Sequence, residues 1–156
     1  MTITKIQNVL LTGKTHTSAS LHEGVARGDD ILDIQLSTPG TPGNEIAFDA
    51  IQNHPAAEQL FAGAWSACYS GALAYVAKSK KVALPGDTSV DIEVDLGTTR
   101  GAYFIQARIE VRMPGVALDV AQALAHAAHD VCPYSKAVHG NIDVVTKVVA
   151  ADAVAA

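Results

Sequence analysis

Two cysteines are the residues of this chain with the most distinctive chemistry. Cys68 ends an apolar run at residues 60–68, and Cys132 opens the segment Cys-Pro-Tyr-Ser at residues 132–135. The sequence contains no other cysteine. A pair of ordered thiols can cycle between dithiol and disulfide without a cofactor. The plainer alternative is two buried structural thiols, because free cysteine is among the most buried residue types.

Composition and charge narrow the classes of protein that fit. A chain of 156 residues can form one domain, residues 1–156, whose core needs neither disulfides nor metal. Its net charge is -5 and its 11 Lys and Arg residues are scattered, which argues against nucleic-acid binding. We find no apolar run near the ~20 residues of a membrane helix and no signal-peptide layout. We therefore expect a cytoplasmic protein without a membrane partner, where a disulfide would be transient or catalytic.

Periodicity predicts an α+β fold. Alternating or β-prone residues indicate strands at residues 3–20, 31–37, 90–96, 103–111 and 141–150. Helical spacing and composition indicate helices at residues 55–77, 119–131 and 135–139. Residues 38–53 lack periodicity, which predicts a long loop; loops of this length are usually functional or mobile. This order is typical of helices packed on one face of an antiparallel sheet.

The helix at residues 55–77 carries the first cysteine. Phe61, Trp65, Cys68 and Ala72 recur at helical spacing and share one face. Small or apolar residues also occupy the other faces near the middle of the helix. We therefore expect a central, buried helix.

Several separated motifs occur in the order found in a known family. They are Glu-Gln-Leu-Phe-Ala at residues 58–62, Ser-Ala-Cys at 66–68, Val-Cys-Pro-Tyr-Ser at 131–135 and Gly-Asn-Ile-Asp-Val at 140–144. From about residue 30 to 149 the sequence resembles the organic hydroperoxide resistance (Ohr) branch of the OsmC/Ohr family. The resemblance implies an OsmC/Ohr-like fold, in which an antiparallel sheet packs on a central buried helix within an intertwined homodimer.

The resemblance also implies an activity, that of a thiol-dependent peroxidase that reduces organic hydroperoxides to alcohols. Cys68 would attack the distal oxygen of the hydroperoxide and become a sulfenic acid. Cys132 would then condense with it to an intramolecular disulfide. The family binds no metal or flavin, and its external reductant is a dihydrolipoyl group on a partner protein. The alternative is a catalytically altered relative that binds an apolar ligand or senses redox state.

A peroxidatic thiol needs a positive charge nearby. Its pKa must fall from about 8.5, while burial in an apolar helix raises it. In the family this charge is an arginine from a Gly-Gly-Arg loop, which is absent here. Leu21 or His22 stands at that place, and Arg27 and Lys14 are the nearest alternatives. We take Arg27 as the first substitute, because guanidinium stays charged and can pair with a carboxylate twice. His22 is the second, being partly charged at neutral pH. Both also fit as ordinary loop residues.

Glu58 matches the glutamate that holds the family's arginine. It precedes Cys68 by ten residues, or roughly 15 Å along one straight helix. Glu58 of the same chain therefore cannot touch Cys68, whereas Glu58 of a second chain can, as in the family's homodimer. The alternative role is that of an acid favoured by the helix dipole.

Two further groups of residues are weaker candidates. His126, His129 and Cys132 have a spacing that could ligate zinc, but no further ligand pattern supports a metal, so we expect none. Phe61, Trp65 and Tyr134 could line an apolar substrate pocket, although such aromatic residues usually belong to the core.

Overall fold

The structure, a computed structural model, describes residues 2–18 and 56–149. Within these ranges the chain forms β1 (Asn8–Ser18), α1 (Ala57–Ser79), β2 (Ser89–Thr99), β3 (Ala102–Arg112), α2 (Leu118–Val131), α3 (Pro133–Val138) and β4 (Asp143–Val149). These elements confirm the α+β class. The predicted strand at residues 31–37, the loop at 38–53, and the candidates His22 and Arg27 lie outside the described residues.

The four described strands form one sheet in the order β1-β2-β3-β4. The pairs β1–β2 and β2–β3 are antiparallel. β4 instead joins β3 in parallel, so the sheet is mixed rather than wholly antiparallel. The connection explains the difference. Between β3 and β4 the chain passes through α2 and α3, and such a crossover returns it to the end of the sheet where β3 begins.

The core lies between the sheet and the helices. Apolar side chains on one face of β2 and β3 are almost completely buried, namely Val90, Ile92, Val94, Ala107, Ile109 and Val111. α1 packs against β1, β2 and α2. One face of α1 supplies its buried residues, Ala62, Trp65, Ser66, Tyr69, Ala72, Leu73, Val76 and Ala77. The sheet, α2 and α3 thereby hold the middle of α1, where Cys68 lies, in a fixed position.

The opposite face of α1 departs from the prediction of a helix buried on all sides. Ala64, Ala67, Gly71 and Ala74 are exposed with respect to the described part of the chain. By length and composition alone α1 would suffice to cross a membrane, although its sequence shows no continuous apolar run of about 20 residues. Core helices of soluble proteins share this property, and α1 is the central helix of this core.

β1 passes very close to the start of α1 at Gly13. A Cβ atom added there would lie 2.5 Å from the backbone nitrogen of Gln59 and 2.5 Å from the carbonyl carbon of Glu58. Side chains do not approach backbone atoms so closely, so only glycine permits this crossing. The crossing fixes the first turn of α1, and with it Glu58, against the sheet.

A buried carboxylate joins β1, β2 and β3 on the outer face of the sheet. Asp95 is only 1% exposed. Its carboxylate accepts hydrogen bonds from Thr12 Oγ1 at 2.7 Å, Gln106 Nε2 at 2.8 Å and Arg108 Nη2 at 2.9 Å. The Arg108 guanidinium holds the pKa of Asp95 well below its usual range, although burial acts in the opposite direction.

We expect Asp95→Asn to lower the free energy of unfolding at pH 7 by about 1.5–3 kcal/mol, the range for hydrogen bonds to a charged group. Because the pKa of Asp95 is depressed in the folded state, its stabilisation is complete above the unfolded value of about 3.9. This stabilisation is lost as the pH falls below the unfolded pKa and through the pKa of Asp95 in the folded protein. In urea unfolding, the difference in unfolding free energy between wild type and Asp95→Asn should therefore shrink below about pH 4. Asp87→Asn, in an exposed turn, is the control; equal stabilities of Asp95→Asn and wild type at pH 7 would contradict the assignment.

Candidate active site

The fold brings the two cysteines together. Cys68 lies in α1 and Cys132 lies between α2 and α3. Their Sγ atoms are 3.1 Å apart, and both are free thiols. Since a disulfide bond is about 2.05 Å long, a movement of about 1 Å would join them. Cys132 is fully buried, whereas Cys68 is half-buried, so Cys68 is the thiol closer to solvent.

The proline at position 133 explains the local structure around Cys132. A residue before proline disfavours the helical conformation, so α2 ends at Val131 and Cys132 is extended, with ψ 117°. Proline suits the first position of a helix, where α3 begins. Cys132 is thereby the N-cap of α3, and its Sγ accepts the backbone N–H of Ser135 at 3.4 Å.

Burial raises the pKa of the Cys68 thiol. The backbone N–H of Tyr134 acts in the opposite direction, and the neighbouring Cys132 raises the pKa further. No cation in residues 2–18 or 56–149 contributes to this shift. Cys68 therefore needs a positive charge from another source to be a thiolate at neutral pH. The sequence candidates for that charge, Arg27 and His22, belong to the part of the chain that the structure does not describe.

Glu58 lies in the first turn of α1, and the helix continues without a break to Ser79. Glu58 and Cys68 of one chain are thus about 15 Å apart along the helix axis. Among the described residues, Glu58 forms no ion pair. Glu58 is half-buried, and its Cβ and carbonyl carbon lie at the crossing with β1.

The three aromatic candidates occupy different environments. Trp65 is fully buried, and Phe61 packs edge-on against it with ring centroids 5.8 Å apart. Trp65 also lines a groove of about 640 Å³ that neither cysteine lines. Tyr134 is 44% exposed, and its backbone N–H faces Cys68. Of the three, only Tyr134 is both exposed and beside the thiols, whereas Trp65 belongs to the core.

A chain of hydrogen bonds beside Cys132 was not predicted from the sequence. Trp65 Nε1 donates to Ser135 Oγ at 3.0 Å. The imidazole of His129 lies between Ser135 Oγ, 3.1 Å from Nδ1, and Thr146 Oγ1, 2.9 Å from Nε2. The sequence did carry one signal, because His129 and Ser135 stand three residues before and after Cys132. Nothing pointed to Thr146, which the parallel pairing of β4 brings to the site.

The zinc alternative gains no support from these positions. Within residues 2–18 and 56–149, no group of three or more His, Cys, Asp or Glu residues could hold a metal ion. His126 is exposed, and both ring nitrogens of His129 already have hydroxyl partners.

Known proteins resemble this chain over most of its length. Residues 50–147 match the family model described as OsmC-like protein. An organic hydroperoxide resistance protein of Xanthomonas axonopodis pv. citri is 36% identical over 88% of this chain and 94% of its own length. The organic hydroperoxide resistance protein OhrA of Bacillus subtilis is 32% identical over 80% of this chain and 85% of its own length.

A solved structure extends the resemblance to the fold. The crystal structure of an organic hydroperoxide resistance protein from Elizabethkingia anophelis matches with a TM-score of 0.63 and 31% identity. The match covers 93% of this chain and 99% of that chain. Family model, relatives and fold agree: the chain belongs to the OsmC/Ohr family and, within it, to the organic hydroperoxide resistance branch.

Proposed function

We propose that this protein is a thiol-dependent peroxidase that reduces organic hydroperoxides to alcohols through Cys68 and Cys132. The observation that carries the proposal is the pair of reduced thiols with Sγ atoms 3.1 Å apart. The names of the relatives point to the same class of substrate, organic hydroperoxides. The half-buried Cys68 is the thiol that a substrate can reach, and the buried Cys132 is poised to resolve it.

The proposed cycle has three steps. The Cys68 thiolate attacks the distal oxygen of the hydroperoxide, the O–O bond breaks, and the alkoxide leaves and takes up a proton as the alcohol. The resulting sulfenic acid reacts with Cys132; the S–S bond forms, and the hydroxyl group leaves with the thiol proton as water. An external dithiol of the dihydrolipoyl type, carried by a lipoylated protein, then reduces the disulfide and becomes oxidised itself. The cycle needs no bound cofactor.

The experiment that tests the proposal is stopped-flow consumption of hydroperoxide by the reduced protein. Cumene hydroperoxide or tert-butyl hydroperoxide should react much faster than hydrogen peroxide. Two thiols per chain should be lost, and one intrachain disulfide should form. A rate no higher than that of a free thiol would overturn the proposal.

A redox-sensing or apolar-ligand-binding role is the second candidate function. The raised pKa of Cys68, with no contributing cation among the described residues, favours it over a fast peroxidase. In that role the thiols would oxidise slowly, and a dihydrolipoyl dithiol would not sustain turnover. The same stopped-flow measurement distinguishes the two functions.

The proposal includes a homodimer in which Glu58 of one chain approaches Cys68 of the other. The small residues on the exposed face of α1, Ala64, Ala67, Gly71 and Ala74, would let a second helix pack closely. Glu58 would then hold the cation that activates the thiol of the second chain.

We therefore expect sedimentation to show a dimer, and Ala67→Glu to shift it towards monomer. A buried, unpaired carboxylate at the interface is the physical reason. Activity should fall together with the dimer fraction. Ala83→Glu, at an exposed position after α1, is the control. A stable wild-type monomer with full activity would contradict the dimer proposal.

A further inference from the structure

Cys132 is fixed by residues that the proposed cycle does not itself use. Its Sγ accepts the backbone N–H of Ser135 at 3.4 Å. The hydroxyl of Ser135, a residue only 5% exposed, lies between Trp65 Nε1 at 3.0 Å and His129 Nδ1 at 3.1 Å. Ser135 thus contacts the sulfur of Cys132 with its backbone, and the indole of Trp65 and the imidazole of His129 with its side chain.

The directions of these hydrogen bonds follow from the groups involved. An indole N–H can only donate, so Ser135 Oγ accepts from Trp65. The hydroxyl proton of Ser135 then needs an acceptor, which a neutral His129 provides at Nδ1. In this tautomer, assigned from the network, Nε2–H donates to Thr146 Oγ1 at 2.9 Å. A protonated imidazole donates at both nitrogens and leaves the Ser135 hydroxyl proton without this acceptor.

The surroundings of His129 favour its neutral ring. Burial lowers the pKa of His129 most, and the nearby His126 and His139 lower it further. Asp130 acts in the opposite direction. Lys136 of α3 and Asp130 line the same groove as His129.

The ring of His129 is also held in place from the side of α1. The ring of Tyr69 lies against it, with centroids 4.8 Å apart. Tyr69 is itself anchored, because its hydroxyl donates to the backbone carbonyl of Ala125 at 2.6 Å. The phenol of Tyr69 stays neutral, since burial raises its pKa. His129 is therefore a rigid support rather than a mobile side chain.

We propose that neutral His129 is a positioning residue for Cys132, which through Ser135 keeps the sulfur of Cys132 directed at Cys68. The inference rests on the proposed function, because the step it serves is the attack of Cys132 on the Cys68 sulfenic acid. In that step the S–S bond forms and the C–S–OH hydroxyl leaves as water with the thiol proton. His129 acts on this step only through Ser135.

The test measures the position of Cys132 without any peroxide. Ellman's reagent, an aryl disulfide, reacts with Cys68, releases one aryl thiolate and leaves a mixed disulfide. Cys132 then displaces the second aryl thiolate as the intrachain disulfide forms. We expect His129→Leu to slow the second phase roughly tenfold, the effect of losing one hydrogen bond. The first phase should remain within about twofold of wild type.

Two further variants separate positioning from general disruption. His129→Asn places an amide oxygen near the position of Nδ1 and should restore most of the second-phase rate. His129→Gln reaches towards Thr146 instead and should remain slow. Gln122→Leu, at an exposed position on the same helix, is the control and should behave as wild type. If His129→Leu does not fold, the comparison of the Asn and Gln variants decides.

The pH dependence gives a readout that a purely structural role would not change. As the pH falls below the usual histidine range of about 6.5, the wild-type second phase should slow relative to that of His129→Asn, because the ring gains a proton. Equal second-phase rates in wild type and His129→Leu, or in the Asn and Gln variants, would overturn the inference. If the expected pattern is seen but wild type does not consume hydroperoxide, the proposed function fails while the positioning role of His129 is supported.

Discussion

Cys68→Ser should abolish hydroperoxide reduction, which is the largest effect we expect from any single substitution. A serine hydroxyl is a weak nucleophile at neutral pH and cannot form a sulfenic acid, so no first step remains. Consumption of cumene hydroperoxide by the variant should fall to the rate of the buffer alone. The rate of the wild-type protein in the same stopped-flow assay provides the reference.

Cys132→Ser should behave differently, because it leaves the first step intact. One equivalent of hydroperoxide should be consumed, and the sulfenic acid of Cys68 should persist, since no second thiol lies 3.1 Å away to condense with it. Dimedone labelling followed by mass spectrometry should place the label on Cys68. The wild-type protein is the control and should give little label, because Cys132 removes the sulfenic acid. Labelling of Cys132 in Cys68→Ser at an equal rate would reverse the two roles.

Strands β2 and β3 and helix α1 show what the sequence could predict. The alternation of Val90, Ile92 and Val94 with acidic residues predicts both a strand and the face that it buries. The structure confirms both in β2, which pairs with β3 as an antiparallel neighbour. Helical spacing likewise placed Trp65 and Ala72 in the core. These patterns are local, because each strand or helix must present one apolar face regardless of its partner.

The direction of β4 and the exposed face of α1 were not predictable in the same way. Alternation identifies the faces of a strand but not the direction of its partner, so the prediction of a wholly antiparallel sheet is wrong for β4, which is parallel to β3. Small residues such as those on α1 occur on both buried and exposed helix faces, so the sequence does not show which of the two faces they form. Only the packing of the other elements shows that Ala67 and Gly71 face away from the described core.

At the site, the sequence indicated the reacting residues better than their supports. The motifs around Cys68 and Cys132 carried the family resemblance, and the fold brings the two sulfurs into contact. Ser135 and His129 were part of, or next to, the same motif, but their hydrogen bonds depend on Trp65 and Thr146 from distant parts of the chain. Such contacts exist only in three dimensions and leave no periodic pattern.

The second large effect concerns the cation that the proposed peroxidase needs beside Cys68. Burial raises the pKa of this thiol, and the described residues supply no cation that lowers it. If Arg27 supplies the charge, Arg27→Ala should lower the rate of hydroperoxide reduction by roughly ten- to a thousand-fold. This is the scale of one charge-assisted contact, about 1.5–4 kcal/mol. Lys80→Ala, at an exposed position after α1, is the control and should keep the wild-type rate.

The pH profile distinguishes Arg27 from His22. A guanidinium remains charged throughout the accessible range, so with Arg27 the rate should rise with the thiolate fraction and then stay level above the lowered pKa of Cys68. An imidazole is charged only below about pH 6.5, so with His22 the rate should fall as the pH rises through that value. His22→Ala should then remove the fall, and Arg27→Ala should have no effect. Two results together would contradict the peroxidase proposal: neither substitution changes the rate, and the reduced protein reacts no faster than a free thiol. The redox-sensing or ligand-binding function would then take its place.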